Sequence, residues 1–119
     1  MDYFTRAEIY IALERYEEAI SDIESGLQAP PQKTTSDRWG YKALGKLYRK
    51  QGKINLAIKA YSDGIGLVET TPVDKYRRII PLDDYFVRAQ LYTKVGEIDK
   101  AIVDYEKILS YKPTGFFCK

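Results

Sequence analysis

One pattern occurs three times along this chain, and repetition on that length scale restricts the fold more than any composition can. Tyr3-x2-Arg6-Ala7-x2-Tyr10 with Ala19-Ile20 returns as Tyr41-x2-Leu44-Gly45-x2-Tyr48 with Ala57-Ile58. It returns again as Tyr85-x2-Arg88-Ala89-x2-Tyr92 with Ala101-Ile102. A repeat of roughly 20–45 residues cannot bury an apolar face alone, so its copies stack and share a continuous core.

Each copy carries two stretches with helical periodicity. In the middle copy Tyr41, Leu44, Gly45, Leu47 and Tyr48 follow that spacing, Gly52 interrupts it, and Ile54, Ala57, Ile58, Tyr61 and Ile65 resume it. Gly96 holds the same break in the third copy, whereas the first has Glu14 there and must turn without glycine. The spacing predicts six helices, over about 2–13, 16–29, 37–51, 54–69, 82–95 and 98–111. Thr35 or Ser36 is placed to cap the third, and Asp83 and Asp84 set negative charge against the positive end of the fifth. All the prolines (Pro30, Pro31, Pro72, Pro81, Pro113) fall outside the helices, where a missing amide hydrogen does least harm.

The motif resembles the tetratricopeptide repeat (TPR) family, a helix–turn–helix of about 34 residues bearing W-x2-L-G-x2-Y…A-x3-F…P. The middle copy matches through Leu44, Gly45, Tyr48, Ala57 and Tyr61, with Tyr41 in place of the tryptophan. Ala7, Tyr10, Ala19 and Pro31 carry the match in the first, where Ile23 replaces the aromatic residue; Ala89, Tyr92, Ala101, Tyr105 and Pro113 carry it in the third. The resemblance implies an all-α helical-repeat solenoid of three helix–turn–helix hairpins wound as a right-handed superhelical array. The expected organisation is one domain over 1–119, with repeats at about 1–31, 37–69 and 82–113 and an insertion at about 70–81.

The residue chemistry agrees. Small residues at Ala7, Gly45 and Ala89, and at Ala19, Ala57 and Ala101, let the two helices of each hairpin approach closely. Nine of the eleven tyrosines fall on repeat positions, so the tyrosine enrichment reads as packing and not as a site. Gly26 and Gly64 sit inside second helices and are expected where the next hairpin presses in.

The alanines 19, 57 and 101 stand 38 and 44 residues apart, so both connections exceed the family minimum. The first is a polar loop. The second, around Tyr76, Arg77 and Arg78, reads either as a helix extension packed on the array or as an exposed contact loop. Many family members end in an extra solvating helix; here Phe116 and Phe117 are expected to fold onto the last repeat, failing which dimerisation or a missing downstream segment would cover that end.

With no histidine, imidazole catalysis and histidine-ligated metals are excluded, and the single Cys118 can form no internal disulfide. No phosphate-binding glycine loop appears, and Glu17-Glu18 is the ordinary acidic opening of a helix. The expectation is a non-enzyme without cofactor or metal. No apolar run suffices for a membrane span or signal peptide, so the expected location is cytoplasmic. Net charge is +2, but residues 1–31 carry two basic and seven acidic side chains, and residues 32–69 carry eight basic and three acidic. The chain thus has an acidic end and a basic middle, a property that concerns partners rather than fold.

In this family the first helices of successive repeats line a concave groove. Lys42, Lys46, Arg49 and Lys50 are spaced to share one face of the third helix, flanked in the aligned positions by Phe4, Trp39, Phe86 and Gln90. A basic centre with aromatic shoulders suits an extended acidic peptide or a free carboxyl terminus; the alternative is that the run of charge is a solvated helix face. The family's clamp for chaperone tails is not reproduced, since Phe4, Glu8, Ala43, Asp83 and Val87 occupy its positions. The leading expectation is a protein- or peptide-binding module, and the alternative is a self-assembling scaffold joined through the uncapped end. Nucleic-acid binding through the same cations with Trp39 is disfavoured by the near-neutral charge and the acidic first repeat.

Overall fold

A computed structural model of the protein contains six helices: α1 (Tyr3–Ala12), α2 (Tyr16–Gln28), α3 (Thr35–Lys50), α4 (Ile54–Thr70), α5 (Leu82–Lys94) and α6 (Ile98–Ser110). The structure describes residues 3–28, 35–70 and 81–110. Every expected helix is present within two residues of its predicted ends, and the fold is the all-α helical repeat that the period implies. Met1, residues 71–80 with Tyr76, Arg77 and Arg78, and the terminal Phe116, Phe117 and Cys118 lie outside the described residues. Because α3 already begins at Thr35, Thr35 and Ser36 open its first turn and do not precede it as expected; their side chains also lie outside the described set.

The chain divides into two compact units, Met1–Ile80 and Pro81–Lys119. In the first, α1 packs on α2, α2 on α3 and α3 on α4; in the second, α5 packs on α6.

All three hairpins turn in the same way. The second residue after each first helix adopts a left-handed conformation: Glu14 with φ 62°, Gly52 with φ 78° and Gly96 with φ 85°. The amides of Arg15, Lys53 and Glu97 donate back to the carbonyls of Tyr10, Tyr48 and Tyr92 at 2.8, 2.9 and 2.8 Å. The amides of Glu14, Gly52 and Gly96 donate to Ile11, Arg49 and Thr93. This paired pattern is a Schellman ending, whose geometry favours glycine; the first repeat imposes it on a glutamate.

Small residues hold the hairpins together. Ala7, Ala19, Ala57 and Ala89 are wholly buried and Ala101 almost so. A Cβ at Gly45 would lie only 2.5 Å from the Tyr61 ring, which is itself 2% exposed. For Gly26 and Gly64 the expectation needs correction. The nearest side chains belong to the same hairpin's first helix, Phe4 and Tyr3 against Gly26 and Tyr41 against Gly64, and not to the next hairpin. The bulky aromatics at the start of each first helix lie over the end of its own second helix.

An ion pair crosses the first and third hairpins at the same place. Arg6 grips Asp22 through Nε and Nη2, both at 2.8 Å, and Arg88 grips Asp104 through the same atoms at 2.8 and 2.6 Å. The middle repeat has Leu44 and Ala60 at the corresponding positions, both buried in the core of the first unit. A two-point guanidinium–carboxylate contact is among the strongest polar contacts available to side chains. The bond to Arg6 and its charge hold the Asp22 carboxyl below the usual carboxylate range. In return Asp22 raises the Arg6 guanidinium, so both stay ionised.

Candidate binding cleft

On α3 the inward residues Leu44, Leu47 and Tyr48 pack against the first hairpin, and this fixes where the rest of the helix points. Trp39, Lys42, Lys46, Arg49 and Lys50 then face a cleft of about 500 Å³ in the first unit. Ala43 and Leu47 form its apolar floor, and Ile11 of α1 and Tyr16 at the start of α2 complete the wall. That volume falls within the roughly 300–1,000 Å³ of typical ligand sites.

The electrostatics are one-sided. Lys46, Arg49 and Lys50 are exposed, whereas Lys42 and Trp39 are half-buried. Lys46 and Arg49 form no ion pair among the described residues. The Lys50 ammonium stands 5.8 Å from the centre of the Tyr16 ring, a cation–π contact that ties α3 to the first hairpin. Four cations beside apolar walls concentrate positive potential where a ligand would enter. Two nearby acids are otherwise engaged: Glu18 accepts two bonds from Arg15, at 3.1 and 2.6 Å, and Glu24 accepts a bond of 2.7 Å from the Tyr48 hydroxyl. Burial, then that hydrogen bond, push the Tyr48 phenol up to about 12.

Five of the eight residues expected to bind a partner therefore line one cleft. Phe4 is close behind them. Its half-buried ring packs against Gly26 and Gly40 and lies 5.6 Å from Trp39, tilted by 59°, so it supports the tryptophan. Phe86 and Gln90 are exposed on α5 in the second unit, where the Phe86 ring meets Tyr105 edge-on at 6.0 Å. Ile11, Tyr16, Ala43 and Leu47 were not among the expected site residues. Ile11 could have been found, because it aligns with Arg49 in the repeat; Tyr16 could not, because only the turn brings the start of α2 to this side.

The family model described as Tetratricopeptide repeat matches residues 3–33, 41–67 and 85–114. The chain belongs to the tetratricopeptide repeat family. TPR domains are in general protein–protein interaction modules and non-enzymatic scaffolds. No curated protein matches the sequence significantly. Among solved structures, the crystal structure of MamA is similar, with a TM-score of 0.68 and 24% identity. The alignment covers 93% of this TPR chain and 57% of MamA, so the chain spans less than two thirds of that protein's length; at such identity the likeness concerns the fold. No helix among the described residues is long and apolar enough to cross a membrane.

Proposed function

We propose that this TPR chain binds a protein partner by taking an extended acidic segment into the cleft of its first unit. The observation that carries this reading is the gathering of Lys42, Lys46, Arg49 and Lys50 with Trp39 around one apolar floor. The floor offers burial for an apolar side chain, and the cations offer charge-assisted hydrogen bonds to carboxylates or a free carboxyl terminus. Phe86 and Gln90, exposed on α5 of the second unit, stay in the proposal as partner contacts of that unit.

Trp39 is the single tryptophan of the chain and lines the cleft, so its fluorescence reports occupancy directly. Titration with peptides that combine acidic and apolar residues should change that emission saturably. The same peptides with Asn and Gln in place of the acids should bind far more weakly, and Lys46→Glu/Arg49→Glu should abolish the response. Equal binding of acidic and neutralised peptides would refute the proposal.

A further inference from the structure

The cleft calls for a ligand that is apolar at its centre and acidic at its edges, and the first hairpin of the same chain presents such a surface. Ile9 on α1 and Leu13 in the turn just after it, whose amide donates to the Ile9 carbonyl at 3.0 Å, are 44% and 59% exposed. Glu8 and Glu14 border them, are exposed, and form no ion pair among the described residues. Ile11, which lines the cleft, sits on a different face of α1, so this apolar ridge is not the wall of its own cleft. The segment that holds the ridge has a net charge of −5 over residues 1–31, and the segment that holds the cations has +5 over 32–69.

We infer that the α1 ridge of a second copy docks into this cleft, with Ile9 and Leu13 on the floor and Glu8 and Glu14 against Lys46 and Arg49. The inference rests on the cleft being a binding surface, as proposed above, and goes beyond that reading by assigning it an occupant. Donor ridge and acceptor cleft are different patches of one molecule, so a copy that gives its ridge to one neighbour can take the ridge of another into its cleft. A peptide ligand and a second copy compete for one site. Association therefore holds the cleft closed, and a partner with a better-matched acidic segment opens it. Opposed charges at the rim set register and speed encounter, which makes the association sensitive to salt.

Charge reversal tests this on the full chain. Glu8→Lys/Glu14→Lys and Lys46→Glu/Arg49→Glu change exposed side chains, and circular dichroism verifies that both variants stay folded. In sedimentation at low salt the wild type should show an average mass that rises with concentration and falls to the monomer on adding salt. Each variant alone should associate at least roughly tenfold more weakly, because like charges then oppose one another. An equimolar mixture of the two should associate again, since every ridge meets a cleft of opposite sign. A wild type that stays monomeric up to millimolar concentration overturns the inference, and so does a mixture that fails to recover. Association indifferent to both reversals overturns it too, and shifts the contact to apolar surface such as Ile98, Ile102 and Leu109 of α6. Titration of the same proteins with acidic peptide keeps the two ideas apart. Peptide binding by the wild type and by Glu8→Lys/Glu14→Lys without self-association sinks the docking alone, whereas absence of both sinks the cleft.

Discussion

Two glycines inside helices of the first unit should respond in opposite ways to the same substitution. At Gly45 of α3 an added methyl group would stand 2.5, 2.6 and 2.9 Å from three carbons of the Tyr61 ring. Carbon atoms in contact prefer about 3.5–4.0 Å, so the overlap is about 1 Å on each. Tyr61 is 2% exposed and cannot swing into solvent, so the helices must part. Overpacking of this kind costs about 1–3 kcal/mol, and alanine's better helix propensity returns about 1 kcal/mol. With three ring atoms in conflict the steric cost belongs at the upper end, for a net loss of about 2 kcal/mol. At Gly66 of α4 nothing lies within 4 Å, so only the propensity gain remains, about 1 kcal/mol. In a domain of this size 1 kcal/mol moves the melting temperature by about 4–8 °C. Gly45→Ala should therefore lower the midpoint of helix melting, followed by circular dichroism, by about 8–16 °C, and Gly66→Ala should raise it by about 4–8 °C. Adding Tyr61→Leu to Gly45→Ala removes the clash, and a double-mutant cycle should show coupling between the two sites. If Gly45→Ala melts at or above the wild-type temperature, the close approach of α3 and α4 is wrong.

The remaining predictions concern the turns and the ion pairs. Glu14→Gly relieves a left-handed residue and should stabilise the first hairpin by about 1 kcal/mol in urea unfolding, whereas Glu14→Val should destabilise it. Asp104 is 1% exposed, so Asp104→Ala should cost about 3–5 kcal/mol by stranding Arg88. Arg88→Leu/Asp104→Ala, which copies the buried Leu44 and Ala60, should recover most of that loss. Arg6 is half exposed, and Asp22→Ala should cost less than Asp104→Ala. The depressed Asp22 carboxyl contributes stability above its ordinary range that is lost as pH falls through its folded value, so Asp22→Asn should flatten the acid limb of the stability curve. The Tyr48 phenol is raised from 10.0 to about 12, so its contribution is present below 10 and disappears as pH rises towards 12; Tyr48→Phe should lessen that alkaline loss in urea titrations.

The helices, the hairpins and the family were legible in the amino-acid order because each depends on neighbours close along the chain. The 3.6-residue period places Lys42, Lys46, Arg49 and Lys50 on one face whatever surrounds α3, and Gly52 and Gly96 mark turns through their own backbone freedom. Alanine at 7, 19, 57, 89 and 101 announces close helix contact because no larger side chain fits between two packed helices. Which groups meet across helices was decided by the tertiary structure. Both members of Arg6–Asp22 and of Arg88–Asp104 stand in the sequence, yet no local period joins residues 16 apart; the angle between packed helices does. The same angle turns Phe4 inward against Gly26 and Gly40 and sets it behind Trp39, where its place in the repeat suggested a groove wall. A left-handed turn at Glu14 swings Tyr16 round to meet Lys50, and it is this turn, more than any spacing, that makes a charged face of α3 into a cleft.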